Sequence, residues 1–146
     1  MRDLGEDPRP ARGAVREVHR VDRAATLDYS PDLDGLADPG EIVWAWVPYE
    51  EDPDRGKDRP LLVVGRDGRR LLAMMLSSRG GGDPREWLEI GPGRWDRENR
   101  VSYLRLDRIF VLDEDGIRRE GSILDGERFA RVAAVLARTH GWAADG

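Results

Sequence analysis

The sequence predicts a mainly β fold, a small barrel of five or six short strands with one C-terminal helix docked on it. Three observations carry that expectation. Between residues 40 and 123, β-branched, aromatic and other apolar residues gather in short runs punctuated by Gly, Pro, Asp and Asn. A capped amphipathic helix pattern follows only after Asp125. The 146 residues suit one ordinary domain, and 39% hydrophobic against 36% charged residues implies a small core in a heavily charged shell.

Taken in order, residues 1–13 mix Asp, Arg, Pro and Gly without periodicity and read as a disordered tail. Ala14, Val15, Val18, Val21 and Ala25 recur at helical spacing and predict a short amphipathic helix over about 14–25. Residues 1–37 are therefore an N-terminal extension, partly disordered, ahead of a barrel domain spanning 38–142. The segment from Ser30 to Glu41 echoes a calcium loop through Asp32, Asp34, Gly35, Asp38 and Glu41. Ser30 stands where the first acidic ligand belongs and a strand follows where a helix should, so an acidic linker is the better account.

Residues 40–47 form the first barrel strand, with Trp44 and Trp46 on one face. Residues 48–58 read as a long loop, and Arg59-Pro60 opens the second strand, Leu61-Leu62-Val63-Val64, which is apolar on both faces and so central. Gly65-Arg66-Asp67-Gly68 predicts a hairpin turn, and residues 69–77 a third strand ending in Ser77-Ser78. Arg79 to Pro84, with three consecutive glycines, reads as a mobile loop. A short strand at 87–90 and a turn-rich connection at 91–99 lead to the longest strand, 101–112. Arg108 breaks its alternation, which predicts a bulge or a strand end around Asp107. A last strand within 116–123 precedes the helix, where Phe129, Val132, Ala133 and Leu136 form one stripe and Gly141 is the stop.

Composition narrows the chemistry. No cysteine is present, which rules out disulfides and thiolate catalysis, and the two histidines, His19 and His140, leave ordinary zinc sites without ligands. His140 falls at the helix end, where it suits a C-terminal cap. No apolar run is long enough to cross a bilayer, and residues 1–10 lack the apolar core of a signal peptide, so a cytosolic protein is expected. The net charge of −5 is unevenly spread: residues 1–54 carry 6 basic and 14 acidic side chains, residues 55–108 carry 13 and 8. Screening beyond about 10 Å lets such a basic middle bind phosphates on an acidic protein.

Within that middle, Arg105 and Asp107 stand two apart on a strand and share a face. A guanidinium can grip phosphate oxygens while a carboxylate takes a proton from a nucleophile. The same spacing also suits an ordinary ion pair on a solvated strand.

The order of these motifs resembles the MazF/PemK toxin family. The residues that carry the likeness are Gly40-Glu41-Ile42-Val43-Trp44, Arg59-Pro60-Leu61-Leu62-Val63-Val64, Ser77-Ser78 and Arg105-Leu106-Asp107, over about residues 40–138. The resemblance implies an SH3-like barrel, a homodimer, and a metal-independent endoribonuclease that cuts single-stranded RNA without a cofactor, held in check by a cognate antitoxin. It makes Arg105, Asp107 and Arg59 the catalytic candidates, with Asp107 as base and both arginines as phosphate clamps. Ser77, Ser78, Lys57 and Arg79 become the substrate-binding candidates. Members with a histidine in the first long loop have no counterpart here, since residues 50–58 contain none. A barrel that binds RNA or a protein partner without cutting is the alternative, because fold alone does not fix function. The acidic residues Asp28, Asp32, Asp34 and Asp38 add a further expectation, that the linker lies over the basic groove as an RNA mimic.

Overall fold

Two runs without polar alternation, 61–64 and 71–76, become the centre of the sheet, and every one of their side chains is buried. The computed structural model describes residues 15–18, 26–27, 37–67, 70–141 and 143–144. Its strands are β1 (Val15–Val18), β2 (Thr26–Leu27), β3 (Glu41–Pro48), β4 (Gly56–Asp67), β5 (Arg70–Ser77), β6 (Trp87–Gly91), β7 (Ser102–Arg105), β8 (Ile109–Leu112) and β9 (Arg118–Ile123). Helix α1 (Gly126–His140) and the short strand β10 (Ala143–Ala144) complete it. The main sheet runs β1-β8-β5-β4-β3-β9, with β7 pairing β5 and β6, and every pairing within it is antiparallel. Strands β2 and β10 form a separate parallel pair.

The predicted fold class is the one observed, a mainly antiparallel β structure with one C-terminal helix. Among the described residues the sheet does not close into a barrel, because β1 and β9 end the path and no pairing joins them. It curls instead, with register shifts at Ile42/Val43 and Val63/Gly65 that add local twist. β1 thereby comes close to β3.

Alternation splits the core in two. Ile42, Leu62, Leu72, Met74, Leu76 and Leu104 pack with Phe129, Val132 and Leu136 of the helix. Val43, Leu61, Val63, Ala73, Met75, Phe110 and Leu112 form the second cluster, from the other face of the same strands. The helix is placed as its caps dictate: the Asp125 side chain accepts from the Arg128 N–H, and Gly141 ends it at φ 70°.

Five expectations are corrected. Residues 15–18 form a strand rather than helix, because the free edge of β8 offers Val15–Val18 a complete set of partners that a weak helical stripe cannot match; the rest of 14–25 and the tail at 1–13 lie outside the described residues. The loop predicted over 48–58 shrinks to the span between Pro48 and Gly56, since Lys57, Asp58, Arg59 and Pro60 pair with Val47, Trp46, Ala45 and Trp44. Arg59-Pro60 is thus inside β4. Pro60 lies beyond the stretch that β5 covers, so its missing N–H leaves no bond to β5 unmade. The turn predicted at 65–68 moves outward, because β4 continues to Asp67, which pairs with Arg70. The strand predicted over 101–112 is two strands, β7 and β8, broken at Leu106-Asp107-Arg108. Finally, Asp38 of the proposed RNA mimic sits 3.7 Å from Arg66, and neither residue lines the basic cavity; Asp28, Asp32 and Asp34 lie outside the described residues.

Candidate active site

Register assembles one end of the sheet into a polar row. Leu61 pairs with Met75 and Ser77 with Tyr103, so Arg59, Ser77, Tyr103 and Arg105 continue the face of the second cluster where its apolar residues run out. Phe110 belongs to that face too, and Arg108 shares it by alternation.

Arg105 and Asp107 meet in a two-pronged ion pair, Nε donating to Oδ1 and Nη2 to Oδ2, the latter at 2.9 Å. Both lie where β7 ends, so the pair bridges the strand and the turn. Arg105 also donates to Glu50 Oε2 at 3.2 Å, lies 4.0 Å from Glu86 and stacks on Trp87 at 5.1 Å. Its side chain is 13% exposed and that of Asp107 39%. The hydrogen bonds from Arg105 hold the Asp107 carboxyl below the usual carboxylate range, and the same bonds raise the arginine.

The turn itself is clamped. The Leu106 N–H donates to the Glu86 carbonyl at 2.7 Å, and the Leu106 carbonyl accepts from His140 Nε2 at 2.7 Å. A carbonyl only accepts, so Nε2 must carry the proton. Arg108, 5% exposed, donates to both oxygens of Glu17 and to the Pro48 carbonyl.

Arg59 is the opposite of Arg105. Among the described residues no carboxylate or carbonyl bonds its guanidinium. Burial lowers its pKa; Tyr49 and Glu51 offset this in part, whereas the nearby charges of Arg108 and Arg79 add to it. Arg59 lines a cavity of about 500 Å³ together with Lys57, Ser77, Ser78 and Arg79. Its remaining walls include Trp44, Trp95, Arg94, Arg97 and Arg118. Asp58 and Glu120 are paired with Arg118, and Asp96 and Glu98 with Arg100. Lys57, Arg79, Arg94 and Arg97 have no carboxylate partner among the described residues, which leaves the cavity wall positive.

The seven candidates thus fall into two groups. Arg105 and Asp107 form one; Arg59, Lys57, Ser77, Ser78 and Arg79 line the cavity, and Arg108, next to Asp107 in the chain, carries one of the charges that lower the Arg59 pKa. The Ser77 hydroxyl accepts from the Arg79 N–H at 3.1 Å, fixing the turn that carries Arg79. The glycine loop is less free than its composition suggests, because a Cβ on Gly80 would collide with Trp87 and Tyr103. Glu50, Trp87, Arg94, Arg97 and His140 were not among the candidates. Arg108, outside the candidates as well, carries a sequence signal in its break of the alternation.

The family model for the PemK-like, MazF-like toxin of type II toxin–antitoxin systems matches residues 38–140. The chain belongs to that family. Among solved structures, this family member resembles a mycobacterial endoribonuclease in complex with its cognate antitoxin, with TM-score 0.53 and 18% identity over 73% of this chain and 97% of that one. It also resembles MazE–MazF from Deinococcus radiodurans in two crystal forms, each with TM-score 0.52 and 19% identity over 75% of this chain and all of that one. These likenesses speak to the fold. No curated protein matches the sequence.

Proposed function

We propose that this family member is an endoribonuclease toxin that cleaves single-stranded RNA with side chains alone. The 2′-hydroxyl attacks its neighbouring phosphorus, the bond to the 5′-oxygen breaks, and the departing 5′-oxygen takes a proton from solvent water, so that a 2′,3′-cyclic phosphate and a 5′-hydroxyl result. Asp107 takes the 2′-hydroxyl proton, and its lowered pKa keeps it in the ionised form that a base needs. Arg105, held in orientation by Asp107 and Trp87, stabilises the charge that grows on the phosphoryl oxygens. Its contact with Glu50 gives way to the phosphate. Ser77 and Ser78 supply hydroxyl donors, and Lys57 and Arg79 hold flanking phosphates along the cavity.

The observation that carries this reading is Arg59, a partly buried cation that bonds no anion among the described residues, in a wall where Lys57, Arg79, Arg94 and Arg97 likewise have no carboxylate partner among those residues. Desolvating a charge without a partner is costly, and a phosphate is the anion that fits this place. The same positive wall suits an acidic segment of a cognate antitoxin, which would exclude RNA by occupying it. A homodimer and a cytoplasmic location accompany the function. Among the described residues no helix is long and apolar enough to cross a membrane.

Labelled single-stranded RNA incubated with the purified full chain in EDTA tests the proposal. Cleavage by the wild type and its loss in Asp107→Asn are expected. RNA that is bound and left whole by the wild type would return the chain to a non-cutting binder.

A further inference from the structure

Strand β1 lies outside the family-matched segment, yet it pairs residue by residue with β8, from Val15 opposite Leu112 to Val18 opposite Ile109. Its Glu17 receives Arg108 Nε and Nη2 at 2.9 Å each. Arg108 also donates to the Pro48 carbonyl at 3.0 Å, approaches Met75 Sδ at 3.7 Å and lies 5.0 Å over the Phe110 ring. A guanidinium buried to this degree keeps its charge and needs an anion. Among the described residues, Glu17 is the one carboxylate within ion-pair distance of it.

The position matters because Arg108 follows Asp107 directly, and Pro48 opens the loop that carries Glu50. Without Glu17, the closest carboxylate along the chain is Asp107 itself, and Arg108 would compete with Arg105 for it. We infer that Glu17 is a positioning residue for cleavage: by neutralising Arg108 it reserves Asp107 for Arg105 and anchors the start of the Glu50 loop. The inference rests on the reading of Arg105 and Asp107 as the cleavage pair. It also gives part of the N-terminal extension a role within the domain.

The charged groups around Asp107 are Arg105 at the end of β7, Arg108 beside it, and Glu50 and Glu86 beyond Arg105. His140 reaches the same turn from α1 through the Leu106 carbonyl. Arg108 already favours the ionised form of Asp107. Uncompensated by Glu17, it would favour that form further, so Asp107 would titrate at lower pH and accept protons less readily.

The test compares the full chain with Glu17→Gln in RNA cleavage across pH and in thermal unfolding. Glu17→Gln is expected to lower kcat by about ten- to a hundredfold, the scale of a misplaced catalytic group, with KM little changed. The acid limb of its profile should move to lower pH. The double variant Glu17→Met with Arg108→Met removes both charges and should bring the limb back up, to or above the wild-type position. Should Glu17→Gln not fold, Glu17→Asp, which keeps the charge one methylene further away, is expected to show the same displacement on a smaller scale. A lower melting temperature with an unmoved limb and unchanged kcat would reduce β1 to a structural strand and overturn the inference. A wild type that binds RNA without cutting it overturns the cleavage reading instead, and the two failures are told apart by that first measurement.

Discussion

Arg105 and Arg59 stand at the same end of one sheet and are in opposite electrostatic states. Arg105 is saturated by the protein's own anions: Asp107 takes two of its N–H groups, Glu50 shares one, and Glu86 is 4.0 Å away. Arg59 is desolvated, has like-charged Arg108 and Arg79 nearby, and bonds no anion among the described residues. The saturated site is fixed before any ligand arrives, with its geometry set by Trp87, Asp107 and the clamped turn at Leu106. The unsaturated one is electrostatically unfinished. Pre-orientation serves chemistry, because donors already aimed need no reorganisation as the reaction proceeds. Unmet charge serves binding, because an incoming phosphate gains what the protein withholds.

If this division is right, the largest losses follow from breaking the fixed half. Asp107→Asn removes the base and loosens Arg105 together, and a fall in kcat of about 10²- to 10⁴-fold is expected in single-turnover cleavage. RNA affinity, read by filter binding, should change little. The pH profile follows from the direction of the shift. Asp107 must be ionised to act as base and is held below the ordinary carboxylate range, so cleavage should persist at pH values where a free aspartate is half protonated. An acid limb at or above the ordinary aspartate value would contradict that ion pair. The same sign governs stability: the pair contributes at neutral pH, and its contribution is lost as pH falls through the lowered value in the folded state.

The open half should fail differently. Arg59→Met is expected to raise KM by tens of fold while leaving the acid limb where it was, since the loss is of phosphate binding rather than of the base. Arg59→Lys keeps the charge and forfeits the planar fork, so partial rescue is expected. Along the cavity, Lys57→Ala, Arg79→Ala and Arg94→Ala should each weaken binding modestly. Each that removes one phosphate contact should lower the slope of log K against log salt by about 0.7 for a single strand. A cavity variant that lowers kcat and spares the salt slope would place chemistry there and dissolve the distinction.

How much of this was legible in the sequence follows the same line. The strands with β-branched runs, the capped helix and the apolar stripe of Phe129, Val132 and Leu136 are local patterns, and they were readable. Arg105 and Asp107 were readable as a pair because alternation is a local rule. Arg108 announced the break between β7 and β8 by falling on the wrong face. What could not be read is set by long-range pairing. Nothing local says that Val15–Val18 is a strand, since its partners sit 91 to 97 positions away on β8. Glu17 looks like one acid among many until that pairing puts it on Arg108. His140 read as a helix cap, and only packing of α1 against the sheet brings it to the Leu106 carbonyl. Glu50 came from an acidic loop that composition alone marks as solvated.

Glu50 is also where the two halves meet, and its removal is the smallest and most discriminating change. It contributes nothing to the folding core: its side chain is 60% exposed, and its ion pair with Arg105 is of the kind worth about 0.2–1 kcal/mol. In the free protein it accepts from Arg105 Nη2, the nitrogen that also donates to Asp107 Oδ2, and so competes for the guanidinium that the proposed mechanism gives to a phosphoryl oxygen. Glu50→Gln keeps the shape and removes the competing charge. RNA should then bind about two- to fivefold more tightly, the range that such an exposed pair can supply, with kcat and the acid limb unchanged. The measurement is KM and equilibrium binding at low salt, where the effect is greatest. A rise in KM would mean that Glu50 holds the RNA rather than its place, and a fall in kcat would move it into the proton-transfer machinery beside Asp107; either result redraws the boundary between the saturated and the open site.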